Sequence, residues 1–275
     1  MPRLGMSGSA VMMLPWFEAM KTAIELGYEA FELFGEFPQC ICGEVGRGER
    51  EQGRELVKSS GLELAVHAPF TSLNLAALNP GVRAESIRQT RDAIDLCAEL
   101  GGSAVIVHNG EYVYRKRPET RPGLELQWLL NLEALRQCAA HARERGVMLC
   151  LENIGFEPEH LDRCVDDMLR IRELVIEDGG APLFFCLDIG HARLNHELPE
   201  AIERMGPLVR HLHFTDNFGE KDDHVVIGEG NFDYSPHLDF FRGFDGIITL
   251  EVVKVGKDPE PARRSLINAR RLFNP

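Results

Sequence analysis

Short apolar runs alternate with longer amphipathic segments along almost the whole chain. The runs are rich in Val, Leu, Ile and Phe, as in SAVIVH at 103–108 and LFFCLD at 183–188, and such runs are typical of strands in a parallel sheet covered by helices. The segments between them show helical periodicity, and glycines 27, 61 and 146 end three of them. The predicted strands are 2–8, 28–34, 62–67, 103–108, 147–152, 183–188, 209–215 and 246–253.

Eight predicted strands alternate with eight predicted helices, namely 13–26, 50–60, 83–100, 124–145, 161–176, 198–205, 236–242 and 259–273. Eight such units in about 250 residues is the size of a closed (β/α)₈ barrel. An open, doubly wound sheet is the rival, but no Gly-x-Gly-x-x-Gly turn follows the first strand. No linker or low-complexity segment interrupts the pattern, so we expect one barrel domain over 1–275.

Composition narrows the class of protein. The formal charge of −13 argues, weakly, against a broad basic surface for nucleic acid. Seven scattered cysteines form no disulfide framework and no C-x-x-C metal pair, which is typical of a reducing compartment. No apolar run reaches the ~18 residues that a membrane span requires. We expect a cytoplasmic protein, without a membrane partner, that is a monomer or a small homo-oligomer.

Polar residues gather where the predicted strands end and in the loop after the seventh strand. In a barrel the carboxyl ends of all strands meet at one mouth, where active sites lie. Nine side chains with nitrogen or oxygen donors are therefore expected to converge: His67, His108, Glu152, Asp188, His191, His213, Asp222, His224 and Glu251.

Each of these residues alone has an ordinary explanation, such as a histidine that only hydrogen-bonds or an aspartate that caps a turn. Together, however, the four carboxylates would repel one another and raise one another's pKa values. Divalent cations remove that conflict, and mixed imidazole and carboxylate ligands suit Zn, Mn, Fe or Co better than Ca or Mg. We expect one to three divalent ions per chain, Zn or Mn.

Seven short motifs occur in order on successive predicted strands. They are VHAPF (66–70), VIVHNG (105–110), LENIG (151–155), CLDIGHA (186–192), HLHFTDN (211–217), DDHVVIGEG (222–230) and LEVV (250–253). In this order the chain resembles the xylose isomerase-like barrel superfamily, which includes sugar isomerases and epimerases, related dehydratases and endonuclease IV.

The resemblance to the isomerase and epimerase branch implies a single metal held by Glu152, Asp188, His213 and Glu251. It also implies that Glu152 and Glu251 are the acid/base pair that removes a proton beside a carbonyl and returns it. His191 would orient the substrate, and the metal would stabilise the enediolate.

The resemblance to endonuclease IV is fuller, because all nine ligands of that family's trinuclear zinc site have counterparts here. It implies hydrolysis of a phosphate ester. Phe70 stands where that family has an aromatic residue beside DNA.

The loops after the second and third strands carry few basic residues, which disfavours a duplex that needs several phosphate contacts. Arg115 and Lys116 belong to the one basic run at the mouth, and they would hold a sugar phosphate, hold DNA or be solvated. We therefore favour a metal-dependent sugar or sugar phosphate isomerase/epimerase. An endonuclease IV-like phosphodiesterase is the alternative, and a catalytically silent metal-binding barrel is a third hypothesis.

Two further residues are expected to contact substrate or its surroundings. Glu32 lies on the second predicted strand and is expected to face the mouth, and Asn109 directly follows His108. Phe70, Arg115 and Lys116 complete the predicted substrate-binding set. His211 shares a face with His213 one layer deeper and is interpreted as barrel packing rather than as a ligand.

Overall fold

Eight parallel strands close into a barrel in the order in which they occur along the chain. The computed structural model describes residues 2–112, 123–154 and 160–273. The strands are β1 (Arg3–Ser7), β2 (Ala30–Phe34), β3 (Glu63–His67), β4 (Ala104–Val107), β5 (Met148–Glu152), β6 (Phe184–Asp188), β7 (Val209–Phe214) and β8 (Ile247–Leu250). β8 pairs with β1 and closes the ring, so the predicted (β/α)₈ fold is confirmed.

Helices surround the barrel. The α-helices are α1 (Trp16–Leu26), α2 (Arg47–Ser60), α3 (Pro80–Leu100), α4 (Leu124–Arg145), α5 (Val165–Ile176), α6 (Ile189–Leu194), α7 (Leu198–Met205), α8 (Leu238–Gly243) and α9 (Glu260–Phe273). α4 and α7 have the predicted bounds. Gly27, Gly61 and Gly146 end α1, α2 and α4 with φ of 83°, 70° and 75°, a conformation that glycine adopts without steric cost.

One short helix, α6, was not predicted from the sequence. It begins directly after β6, where Asp188 Oδ1 accepts a hydrogen bond of 2.8 Å from the backbone N–H of His191. The aspartate thus caps the helix, and His191 lies in its first turn rather than in a loop. Six helical residues are too few for a clear period in the sequence.

All eight strands are shorter than predicted, and in two of them the difference affects a predicted ligand. β4 ends at Val107 and β8 at Leu250, so His108 and Glu251 each lie one residue beyond a strand. Both still continue the inward alternation of their strands, and both reach the mouth of the barrel.

Apolar packing occurs on both sides of the strands. The large core lies between the barrel and the helices and includes Phe31, Leu64 and Phe185. A smaller cluster fills the barrel interior below the mouth and consists of Ala30, Ala65, Ala104, Ile106, Cys150, Cys186 and Ile247. Among the described residues, no helix has the length and apolar character needed to span a membrane.

Candidate metal centre

The mouth of the barrel opens into a cavity of about 620 Å³. Seven of the nine predicted ligands line it: His67, His108, Glu152, His191, Asp222, His224 and Glu251. Asp188 and His213 lie deeper and are completely buried. All nine therefore lie at or just beneath the floor of one cavity, and their donor atoms form three adjoining groups.

The central group consists of Glu152, Asp188, His213 and Glu251, whose ligand atoms lie within 4.8 Å of one another. Nδ1 of His213 is 3.0 Å from Glu152 Oε1 and 3.2 Å from Glu251 Oε2. The same nitrogen is 3.9 Å from Asp188 Oδ2. Four donors from four strand ends thus surround one point.

A second group joins His67 and His108 to Glu152. Their Nε2 atoms lie 3.2 and 3.1 Å from Glu152 Oε2. Nδ1 of His67 lies 2.9 Å from the carbonyl oxygen of Ala68. If Nδ1 donates there, the Nε2 lone pair is left for a metal, a common arrangement for histidine ligands.

A third group lies on the side of α6 and the β7–α8 loop. Asp188, His191 and His224 bring donor atoms within 4.8 Å of one another. Asp222 adjoins them, with Oδ2 3.2 Å from His191 Nε2 and Oδ1 2.9 Å from His224 Nε2. Because Glu152 and Asp188 are each shared by two groups, the arrangement is continuous.

Asp216 organises the loop that supplies Asp222 and His224. Its buried carboxylate accepts hydrogen bonds from the backbone N–H groups of Gly228 and Gly230 at 2.8 and 3.0 Å. These bonds tie the two ends of the loop together. In the sequence Asp216 stands among other acidic residues, and nothing distinguishes its framework role.

Electrostatics at the floor reflect dense packing of ionisable groups. Burial raises the pKa of Asp188 to about 6. Burial also acts to raise the pKa of Glu152, but nearby histidines, His213 foremost, outweigh it and hold that pKa well below its usual range. Burial lowers the pKa of His224, yet Glu251 and Asp222 outweigh it and raise the pKa to about 9. Positive charge is therefore favoured at this floor.

Three buried atoms at the floor that could bind a metal make no hydrogen bond to the described residues. They are Oδ2 of Asp188, Oε2 of Glu251 and Nδ1 of His224. Unsatisfied buried polar atoms are costly, and a divalent cation is a natural partner for two carboxylate oxygens and an imidazole nitrogen. The residues present thus fit a metal.

The cavity wall combines aromatic and acidic side chains. Phe34, Phe37 and Phe70 line it, and Phe70 stacks on His108 with ring centroids 4.5 Å apart. Glu36 accepts hydrogen bonds from the backbone N–H groups of Phe70 and Thr71, each at 2.6 Å, and so joins the β2–α2 and β3–α3 loops. No lysine or arginine lines the cavity among the residues that the structure describes.

Two predicted substrate-binding residues lie elsewhere. Glu32 pairs in register with Ala65, whereas its neighbour Phe34 is level with His67. Glu32 is therefore one layer below the floor, only 1% exposed, and does not line the cavity. Asn109 is also outside the cavity lining, because its Oδ1 accepts a hydrogen bond of 2.9 Å from Asn131 on α4. The geometry supports contact with substrate for neither residue.

The predicted residues Arg115 and Lys116 lie outside the described residues. Three residues with evident roles here were not on the predicted site list. Glu36 and His160 line the cavity. Asn153 donates to the Asp188 carbonyl at 3.0 Å and accepts from the Asp188 N–H at 2.9 Å. Asn153 follows Glu152 directly, which was the one sequence signal for its role.

Residues 20–272 match the family model described as xylose isomerase-like TIM barrel. The chain belongs to this family. Among its relatives, an uncharacterized protein of Methanocaldococcus jannaschii is 32% identical over 203 residues, which cover 69% of this chain and 64% of that protein. The chain thus spans just under two thirds of that relative's length.

Two other relatives are named for an activity. Fructoselysine 3-epimerase of Shigella flexneri is 25% identical over 280 residues, which cover 98% of each chain. Probable endonuclease 4 of Mycobacterium marinum is 26% identical over 244 residues, which cover 86% of this chain and 89% of that protein. The crystal structure of a D-tagatose 3-epimerase-like protein superposes with a TM-score of 0.81 at 26% identity, covering 98% of this chain and 97% of that one.

Proposed function

We propose that this protein is a metal-dependent epimerase or isomerase that acts on a small sugar or sugar-like polyol. One observation carries the proposal: the carboxylates of Glu152 and Glu251 have oxygens within 4.8 Å of each other at the floor of a cavity of about 620 Å³. A cavity of this size is in the usual range for small-molecule sites. The similarity to a fructoselysine 3-epimerase and to a D-tagatose 3-epimerase-like protein supports the same conclusion.

The two carboxylates would perform the proton transfers. One takes the proton from the carbon beside the carbonyl, and the electron pair of that C–H bond moves toward the carbonyl oxygen. The other returns a proton to carbon on the opposite face, which inverts the configuration. His213 Nδ1 lies 3.0 Å from Glu152 and 3.2 Å from Glu251, so both carboxylates lie beside the same imidazole.

Glu152, Asp188, His213 and Glu251 would hold the catalytic cation, Zn or Mn. When bound, that cation would supply Lewis acidity toward two adjacent substrate oxygens. His191 lines the cavity, and its Nδ1 lies 2.8 Å from the carbonyl oxygen of Asn153. This contact fixes the ring, so that His191 orients substrate or joins the third group as a ligand.

The cavity wall favours a substrate with little negative charge. The phenylalanine rings offer apolar faces to C–H groups, and Glu36, Glu111 and Asp223 offer acceptors to hydroxyls. Because the described lining holds no lysine or arginine, a polyanion would find few phosphate contacts there. A neutral polyol fits this wall better than duplex DNA.

A phosphodiesterase resembling endonuclease IV is the second candidate. It is favoured by the complete nine-residue set, which forms the three adjoining donor groups described above. It is also favoured by the similarity to a probable endonuclease 4. Phe70, stacked on His108 at the cavity wall, would then lie beside the nucleic acid.

The deciding experiment begins with the metal content of protein purified without added metal or chelator. The same preparation is then assayed for C-3 and C-4 epimerisation and for aldose–ketose interconversion of free ketoses, sugar phosphates and amine-linked sugars, and for cleavage of abasic-site DNA. We expect metal-dependent turnover of a sugar and no DNA cleavage. DNA cleavage without sugar turnover would replace the proposal with the second candidate, and full metal occupancy without either activity would support the catalytically silent barrel.

A further inference from the structure

A fully buried polar cluster lies directly beneath the central donor group. Its members are Glu32 on β2, His211 and His213 on β7, and Thr249 on β8, each at most 1% exposed. Only His213 belongs to the metal groups discussed above as well. Polar groups this deep require a reason, because burial without compensation is costly.

Three donors converge on one oxygen of Glu32. His213 Nε2 lies 3.1 Å from Glu32 Oε2, and His211 Nε2 lies 2.6 Å from the same atom. The hydroxyl of Thr249 donates to it at 3.2 Å. An ionised carboxylate is an acceptor only, so this convergence fits a charged Glu32 with a proton on Nε2 of His213.

The opposite nitrogen of the same ring faces the metal groups. Nδ1 of His213 points at Glu152 Oε1 and Glu251 Oε2, at 3.0 and 3.2 Å. A proton held on Nε2 leaves the Nδ1 lone pair directed between these carboxylates. Without a cation, a proton on Nδ1 meets these carboxylates; a cation held between them takes the place of that proton and binds the Nδ1 lone pair, which is the form of histidine that binds a metal.

We propose that Glu32 is a positioning residue that selects the metal-binding tautomer of His213 through the Nε2–Oε2 contact and thereby sets the affinity of the central site. The inference rests on the proposed function, because it requires a cation at Glu152, Asp188, His213 and Glu251. Glu32 itself touches neither cation nor substrate. Its partners His211 and Thr249 hold the carboxylate in place.

The variant Glu32→Gln tests this role with little change of shape. Gln has nearly the same shape as Glu, and because Oε1 of Glu32 makes no hydrogen bond to the described residues, an amide nitrogen in its place breaks none, so the fold is expected to survive. The neutral amide oxygen is a weaker acceptor for His213. Affinity for Zn²⁺ or Mn²⁺ at the central site, measured by chelator competition, is expected to fall about 10–100-fold, as is typical when such a partner of a metal-bound histidine is removed.

Thr249→Ser is the matched control, because it removes a methyl group from the same buried layer but keeps the hydroxyl that donates to Glu32 and the contact between Glu32 and His213. We expect unchanged metal affinity in this variant. ¹⁵N chemical shifts of His213 in its neutral form supply a second readout: the Nε2–H form in wild type and Thr249→Ser, and a mixture of tautomers in Glu32→Gln.

Two results would overturn the positioning role while leaving the proposed function intact. One is wild-type affinity and a wild-type tautomer in Glu32→Gln. The other is an equal loss of affinity in both variants, which would indicate packing of the layer rather than a specific contact. A wild-type protein that binds neither cation would instead defeat the proposed function, and this inference with it.

Discussion

Along β5 and β6, two successive layers of inward side chains are equally buried and chemically opposite. On β2, β7 and β8 the lower layer instead holds the polar side chains Glu32, His211 and Thr249. Cys150 and Cys186 lie in the lower layer, and both are 0% exposed. Glu152 and Asp188 lie two residues further along the same strands, and they are 1% and 0% exposed. A step of two residues, roughly 7 Å along a strand, thus changes the interior from apolar packing to a cluster of ionisable groups.

The two layers solve different physical problems. The lower cluster of Ala, Cys and Ile side chains fills the interior and makes few demands for hydrogen bonds. The upper layer concentrates carboxylates and imidazoles that need protons or cations as compensation. The difference shows that burial by itself does not distinguish packing from function in this barrel.

The largest expected effect is the difference between two substitutions on β5, one in the upper layer and one in the lower layer. Glu152→Gln removes an acid/base group and a shared ligand, and we expect it to lower kcat by about 10²–10⁴-fold. Cys150→Ala, two residues earlier, should leave kcat and metal content unchanged and cost about 1 kcal/mol of stability. Steady-state kinetics, metal analysis and chemical unfolding measure these effects. Wild-type turnover in Glu152→Gln would show that the acid/base assignment is wrong.

The second prediction concerns the number of cations in the upper layer. His67→Ala and His108→Ala each remove a ligand from the group that shares Glu152 with the central site. If several cations bind, each variant loses about one metal equivalent, since an incomplete site binds its metal more weakly. If only the central site is used, both variants keep full metal content and much of the activity. Elemental analysis of the wild type and the two variants, prepared in parallel, decides between a multi-metal and a single-metal centre.

The smallest expected effect is a change of stability with pH. The pKa of His224 is raised from 6.5 to about 9. The pKa of His67 is raised by Glu152. The pKa of His191 is raised by its carboxylate neighbours, Asp188 foremost. A raised pKa in the folded state stabilises the protein below pH 6.5 and loses this contribution as pH rises through the folded value. Metal-free protein should therefore lose stability between about pH 6.5 and 9.

Cations compete with protons for the same nitrogens, so stabilisation by metal should increase over that range. Thermal unfolding with metal and with chelator, compared across the range, measures the difference in Tm. A difference that stays constant with pH would indicate that the cation does not displace these protons. Burial lowers the pKa of His108, and its contribution varies only below pH 6.5, outside the window.

The sequence alone was enough to establish the barrel and the members of its polar floor. Alternating apolar and amphipathic segments predicted all eight strands, because a strand covered by helices must be apolar on both faces. Polar residues at the strand ends predicted one mouth, because the carboxyl ends of barrel strands converge. The donor residues named on that basis all lie at or beneath one cavity.

Only the tertiary structure decided at which level along the barrel axis each side chain lies and which residues it contacts. Period two along a strand assigns a side chain to a face, but the stagger between neighbouring strands sets its level. Glu32 illustrates this point: its face was predicted, yet the pairing of Glu32 with Ala65 places it below the floor. The division of the donors into three groups and the contact of Glu36 with the backbone of Phe70 have the same origin. They depend on distances between residues far apart in the chain, which no local pattern of one sequence contains.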